Sequence, residues 1–93
     1  MKNLKGQIEL MKVLANKNRL SILHLLMNTK TELCVNQIAD RVGISQSLAS
    51  QSLKYLALKK ILKGKRNGQT ICYMPESNKE AKQIFKLVNI LNS

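Results

Sequence analysis

The chain of 93 residues has no tryptophan, two tyrosines, one phenylalanine, one proline and one histidine. With so few aromatics, leucine and isoleucine carry the burial, and a lone copy would be only modestly stable. No run approaches the ~20 apolar residues of a membrane span, and the start Met1-Lys2-Asn3-Leu4-Lys5 lacks a signal peptide's apolar region. No membrane partner is expected, and the expected location is the cytoplasm. Acidic residues are also scarce: five Asp and Glu stand against 16 Lys and Arg, a formal net charge of +11. There is no nucleophile-base pair, carboxylate dyad or glycine-rich phosphate loop, so an enzyme is not expected; Ser50 is a hydroxyl with no base beside it. His24 has no Cys, Asp, Glu or His at i±3 or i±4, and reads as a structural histidine rather than a metal ligand.

A chain of this size builds one core, so residues 1–93 are read as a single domain. Its positive charge is concentrated. Between Arg41 and Pro75 lie seven basic residues (Arg41, Lys54, Lys59, Lys60, Lys63, Lys65, Arg66) and no acidic one, which calls for an anionic partner. Within that span the stretch from Val42 to Leu62 organises the rest. Gly43 supplies a turn, Ile44 can staple the entry, and Ser45 can cap a helix that starts at Gln46. Ala49, Leu53 and Leu56 form a narrow inward stripe, while Gln46, Ser47, Ser50, Gln51 and Lys54 project outward. Short amide, hydroxyl and cationic side chains near a helix N-terminus suit base edges and phosphates, so this is read as a recognition helix.

In chain order, Leu4, Ile8 and Met11, with Leu10 and Leu14 beside them, predict a first helix over about 4–14 with two partly apolar sides. Asn16 offers an N-cap to a second helix, apolar on most of its circumference through Leu20, Ile22, Leu23, Leu25, Leu26 and Met27. Leu33-Cys34-Val35 suits a small strand or the lead into a helix over about 36–41, which Gly43 ends; with the recognition helix it has helix-turn-helix spacing. Asn67-Gly68 between two β-prone runs predicts a hairpin, a basic wing whose Lys63, Lys65, Arg66 and Gln69 can meet a phosphate backbone. After Pro75, Ser77 or Asn78 caps a last helix with Ala81, Ile84, Phe85, Val88 and Leu91 on one face and Leu87 and Ile90 on its flank.

The fold expected is therefore mainly α, a winged helix-turn-helix with a small β-hairpin wing and terminal helices forming a dimer interface. Leu4, Ile8, Met11, Ile84, Leu87, Val88 and Leu91 are the candidate interface residues. Pairing across a two-fold axis would set two recognition helices about 34 Å apart, one turn of duplex DNA.

With these motifs assembled, the chain from Leu14 to Met74 resembles the ArsR/SmtB family of winged-helix repressors. The resemblance is carried by Leu14-Ala15-Asn16-Lys17-Asn18-Arg19-Leu20-Ser21-Ile22-Leu23, Glu32-Leu33-Cys34-Val35 and Ile44-Ser45-Gln46-Ser47. Ser50 with Leu53 and Leu56, and Arg66-Asn67-Gly68 with Tyr73, complete it. It implies a dimeric repressor on double-stranded operator DNA, contacted at the positions of Gln46, Ser47, Ser50 and Gln51 and along the backbone by the wing. A histidine that the family commonly carries at Gln51 or Ser52 is absent. The family's thiolate metal motif Cys-Val-Cys is here Cys34-Val35-Asn36, and its second metal site, on the final helix, is reduced to Glu80, so neither inherited site is intact.

No cofactor is expected and no small effector is legible. Cys34 and Cys72, without export signals, are expected to be reduced thiols, and Cys72 between Ile71 and Tyr73 suits a small packed residue. A second reading follows the resemblance: with Cys34 on a short strand beside the wing, a disulfide or polysulfide link to Cys72 would lock the wing relative to the recognition helix, as some family members do. The competing function is a winged-helix module that binds protein or RNA without an operator. It would show apolar or aromatic anchors where this chain has Gln46, Ser47, Ser50 and Gln51.

Overall fold

A computed structural model describes residues 4–92; Met1 to Asn3, part of the start considered above, and Ser93 lie outside the described residues. The chain runs α1 (Leu4–Leu14), α2 (Lys17–Met27), β1 (Leu33–Cys34), α3 (Val35–Val42), α4 (Gln46–Leu58), β2 (Leu62–Asn67), β3 (Thr70–Pro75) and α5 (Lys79–Leu91). The three strands form one antiparallel sheet in the order β1-β3-β2. This is the winged helix-turn-helix that the sequence predicts.

Local chemistry sets the helix boundaries. Asn16, Ser45 and Asn78 each accept from a backbone N–H three residues on, those of Arg19 (3.0 Å), Leu48 (3.0 Å) and Ala81 (2.8 Å). Each thus satisfies one of the amides that a helix start leaves free. Of the two cap candidates before α5, it is Asn78 that serves. Helix α3 begins at Val35, directly after β1, and the Gln37 side chain reaches back to accept from the Cys34 N–H at 2.9 Å. Gly43, at φ 82°, takes the left-handed conformation that ends α3, and its N–H and that of Ile44 both donate to the Ala39 carbonyl.

The hairpin differs by one residue from the expected turn. Asn67 pairs with Thr70, so the two-residue loop is Gly68-Gln69 and not Asn67-Gly68. Only Gly68 has a positive φ (69°), the requirement of a turn with glycine at its first central position.

Ile22, Leu23 and Leu26 of α2 are fully buried at the centre of the core. Ile38, Ala49, Leu53, Leu56 and Leu62 surround them from α3, α4 and β2, with Val13 from α1 and Ile84 and Val88 from α5. The predicted inward stripe of α4 is borne out. In α1 the buried residue is Val13, while Leu4, Ile8 and Met11 remain exposed, Met11 by 67%. The expectation for α5 needs correction: Ile84 and Val88, expected at a dimer interface, are buried inside the chain's own core. With Ala81 they form the i, i+3, i+7 stripe with which α5 covers the core. The apolar surface that α5 leaves open is Ile90 and Leu91, with Leu87 half-buried.

Candidate nucleic-acid interface

Helix α4 packs on α3 and on the base of the wing, which fixes its outer face. On that face Gln46, Ser47, Gln51 and Lys54 are exposed, and Ser50 is half-buried, less outward than expected. The wing exposes Lys63, Lys65, Arg66 and Gln69. Among the described residues no ion pair engages Lys54, Lys63, Lys65 or Arg66. Arg41, at the C-terminal end of α3, is likewise exposed and unpaired. Two adjoining elements therefore present amides, hydroxyls and free cations, the groups that meet base edges and phosphates.

Lys59, part of the same basic span, is engaged otherwise. Its Nζ lies 3.6 Å from Glu9 Oε2 of α1 and 5.6 Å from the Tyr55 ring centroid. Arg19 is also structural: it donates to the carbonyls of Val13 (Nε, 2.9 Å) and Lys12 (Nη2, 2.6 Å), and its guanidinium lies over Tyr55. Sequence reasoning missed both roles, because each joins residues that only the tertiary fold brings together.

Cys34 and Cys72 are cross-strand partners in β1 and β3 and are joined by a disulfide. This overturns the expectation of reduced thiols and agrees with the second reading, in which Cys34 on a short strand beside the wing is linked to Cys72. The physical reason is register: antiparallel pairing of β1 with β3 puts the two side chains on the same face of the sheet. The link ties the strand that leads into α3 to the wing. Among the described residues no group of three or more His, Cys, Asp or Glu is arranged to hold a metal ion. On the sheet's inner face burial pushes the Tyr73 phenol above its ordinary range.

Similarity to known proteins agrees with this geometry. The profile described as "Bacterial regulatory protein, arsR family" matches residues 16–57, from the cap of α2 almost to the end of α4. The Transcriptional activator HlyU of Vibrio cholerae serotype O1 is 33% identical over 90 residues, 97% of this chain and 81% of that protein. The structure of HlyU from Vibrio cholerae N16961 has a TM-score of 0.77 at 29% identity, covering 98% of this chain and 97% of that one, and HlyU has also been solved as "Reduced HlyU". The AntR antimony-specific transcriptional repressor has a TM-score of 0.78 at 32% identity, over 99% of this chain and 82% of that one. A homodimeric winged helix-turn-helix DNA-binding domain, Mb0332 from Mycobacterium bovis, has a TM-score of 0.71 at 27% identity, over 99% and 87%. Motif, architecture and relatives converge: the chain belongs to the ArsR family of bacterial transcriptional regulators.

Proposed function

We propose that two copies of the chain pair through α1 and the open side of α5 and occupy a pseudo-palindromic operator in double-stranded DNA as a repressor. In this reading α4 enters successive major grooves with Gln46, Ser47, Ser50, Gln51 and Lys54, while Lys63, Lys65, Arg66 and Gln69 of each wing hold phosphate. The observation that carries it is the exposed faces of α4 and the wing, two elements that hold no acidic residue and whose cations have no ion-pair partner among the described residues. Exposed Leu4, Ile8, Met11, Ile90 and Leu91 supply apolar surface for a partner copy, and the homodimeric Mb0332 domain supports that pairing. An operator site of this kind represses by excluding polymerase.

The Cys34–Cys72 disulfide supplies the switch in this reading. Oxidised, it fastens the entry of the helix-turn-helix to the wing; reduced to two thiols, it lets the two DNA-contacting elements move apart. That HlyU has also been solved as a reduced protein supports a redox role.

A mobility-shift selection on fragments of the source genome, with oxidised and dithiothreitol-reduced protein, tests both parts. Retention of a few fragments over bulk DNA is expected, with an affinity that changes on reduction in the wild type and is insensitive to dithiothreitol in Cys34→Ser. Uniform binding to all fragments overturns the operator reading. Identical affinity of the two wild-type forms overturns the switch.

A further inference from the structure

The disulfide sits in a row of three residues across the sheet. Cys34 of β1 pairs with Cys72 of β3, and Cys72 pairs with Lys65 of β2, so the line from Cys34 through Cys72 continues toward the wing strand and its lysines. Lys63 and Met74 form the next cross-strand pair on that face. Between these rows lies a cleft of about 320 Å³, lined by Glu32, Lys63, Gly64, Lys65, Cys72 and Met74. Two ammonium groups against one carboxylate leave it cationic, and Lys63 and Lys65 have no ion-pair partner among the described residues. Cys72 lines this cleft while being itself only 1% exposed.

We propose that this cleft is the entry site for small anionic thiols that open the disulfide by attack on the Cys72 sulfur. The proposal depends on the disulfide and not on DNA binding. Thiol-disulfide exchange proceeds in line with the S–S bond, and the approach to Cys72 opposite Cys34 comes from the lysine side. A thiolate RS⁻ forms a bond to Cys72 Sγ while the Cys34–Cys72 bond breaks, and the electron pair leaves on Cys34 as a thiolate. Cys34 is the N-cap of the eight-residue helix α3, whose N-terminal amides favour negative charge. Attack at Cys34 would instead expel the thiolate at Cys72, which is buried and has one long donor contact, Asn67 Nδ2 at 4.0 Å, in place of a helix N-terminus. A second RS⁻ then attacks the sulfur of the bound R group, releasing RSSR and the Cys72 thiolate. The two protein thiolates take protons from water; two thiols are oxidised and one disulfide is reduced.

The test compares reduction of the full-length oxidised protein by mercaptoethanesulfonate, 2-mercaptoethanol and cysteamine, each rate divided by the same thiol's rate on bis(2-hydroxyethyl) disulfide. The normalised rate of the sulfonate thiol is expected to exceed that of cysteamine by about tenfold or more. In Lys63→Gln/Lys65→Gln the ratio should fall to within about twofold, while Lys82→Gln/Lys86→Gln on α5, which removes equal charge from residues that do not line the cleft, should keep it. Acid quenching early in the reaction should trap the mixed disulfide on Cys72. Equal normalised rates, a preference that survives loss of Lys63 and Lys65, an equal drop in the α5 variant, or trapping on Cys34 each overturn the proposal.

Discussion

The Arg19 guanidinium lies 4.0 Å from the centroid of the Tyr55 ring while donating to the last carbonyls of α1, at Lys12 and Val13. One side chain of α2 thus caps α1 and holds α4. Charge-assisted hydrogen bonds to carbonyls contribute about 1.5–3 kcal/mol and the ring contact about 0.5–1 kcal/mol. Arg19→Met, which keeps the aliphatic stem, is expected to lower unfolding free energy by about 2 kcal/mol. Urea unfolding of Arg19→Met, Tyr55→Leu and the double variant should give a coupling of about 0.5–1 kcal/mol. Strict additivity would mean that the ring contact contributes nothing.

Lys60 is the non-glycine residue with positive φ (65°) among those described. It stands just past α4, where its N–H donates to Ala57 O and that of Ile61 to Leu56 O, both at 3.0 Å, the paired bonds of a helix ending in a left-handed residue. That conformation costs an L-residue about 1–2 kcal/mol, whereas glycine adds about 0.5–1 kcal/mol of chain entropy to be lost. Lys60→Gly is therefore expected to stabilise the protein by up to about 1 kcal/mol. The bond from Asn78 Nδ2 to the Lys60 carbonyl, at 2.8 Å, needs only backbone and survives the change. A lowered urea midpoint in Lys60→Gly would contradict this account.

Tyr73 gives the fold an alkaline limit. Its phenol is raised by desolvation above the ordinary value of 10.0, because the buried ring site disfavours phenolate. Below about pH 10 both folded and unfolded chains keep the proton and the contribution is fully present. As pH rises from there toward the folded-state value, the unfolded chain releases its proton first. The folded state then binds more protons than the unfolded one, and stability falls. Wild type should lose more stability than Tyr73→Phe between about pH 9 and about pH 11, measured by urea midpoints. Equal losses in the two proteins would show that lysine titration alone sets the alkaline slope.

Much of this molecule was legible because its signals are local. Asn16, Ser45 and Gly43 act within one helical turn, so the start of α2, the end of α3 and the start of α4 follow from neighbouring residues. The 3.6-residue period likewise exposes the outer face of α4, where Gln46, Ser47 and Gln51 stand. What failed was long-range or two-valued. An apolar stripe such as Ala81, Ile84 and Val88 reads the same whether it covers its own core or a second copy, and only packing showed that Ile84 and Val88 cover the core. The Asn67-Gly68 pair signals a hairpin, but strand register moved the loop to Gly68-Gln69. Cys34 and Cys72 are 38 residues apart, and nothing near either one reveals the partner, so their link was legible only through the family resemblance and stood beside the expectation of reduced thiols. Arg19 and Tyr55 meet only because α2 and α4 pack together.

The two classes of DNA contact in the proposed interface predict different defects. Lys65 and Arg66 stand exposed on the wing without ion-pair partners among the described residues, so in the proposed interface their energy with DNA would be the release of counterions from phosphate, which is indifferent to sequence. Lys65→Gln and Arg66→Gln should therefore weaken operator and random duplex alike. Each lost phosphate contact should also reduce the slope of log affinity against log salt by about 0.9. Gln51, exposed on α4, carries no charge and in the proposed interface would meet base edges through its amide. Gln51→Ala should leave the salt slope and random-duplex affinity unchanged while costing about 1–3 kcal/mol on the operator alone. Titrations of the three variants against both duplexes at several salt concentrations separate the classes. A wing variant that loses operator affinity selectively, or a Gln51→Ala protein that retains full discrimination, would show that the division of labour between α4 and the wing is wrong.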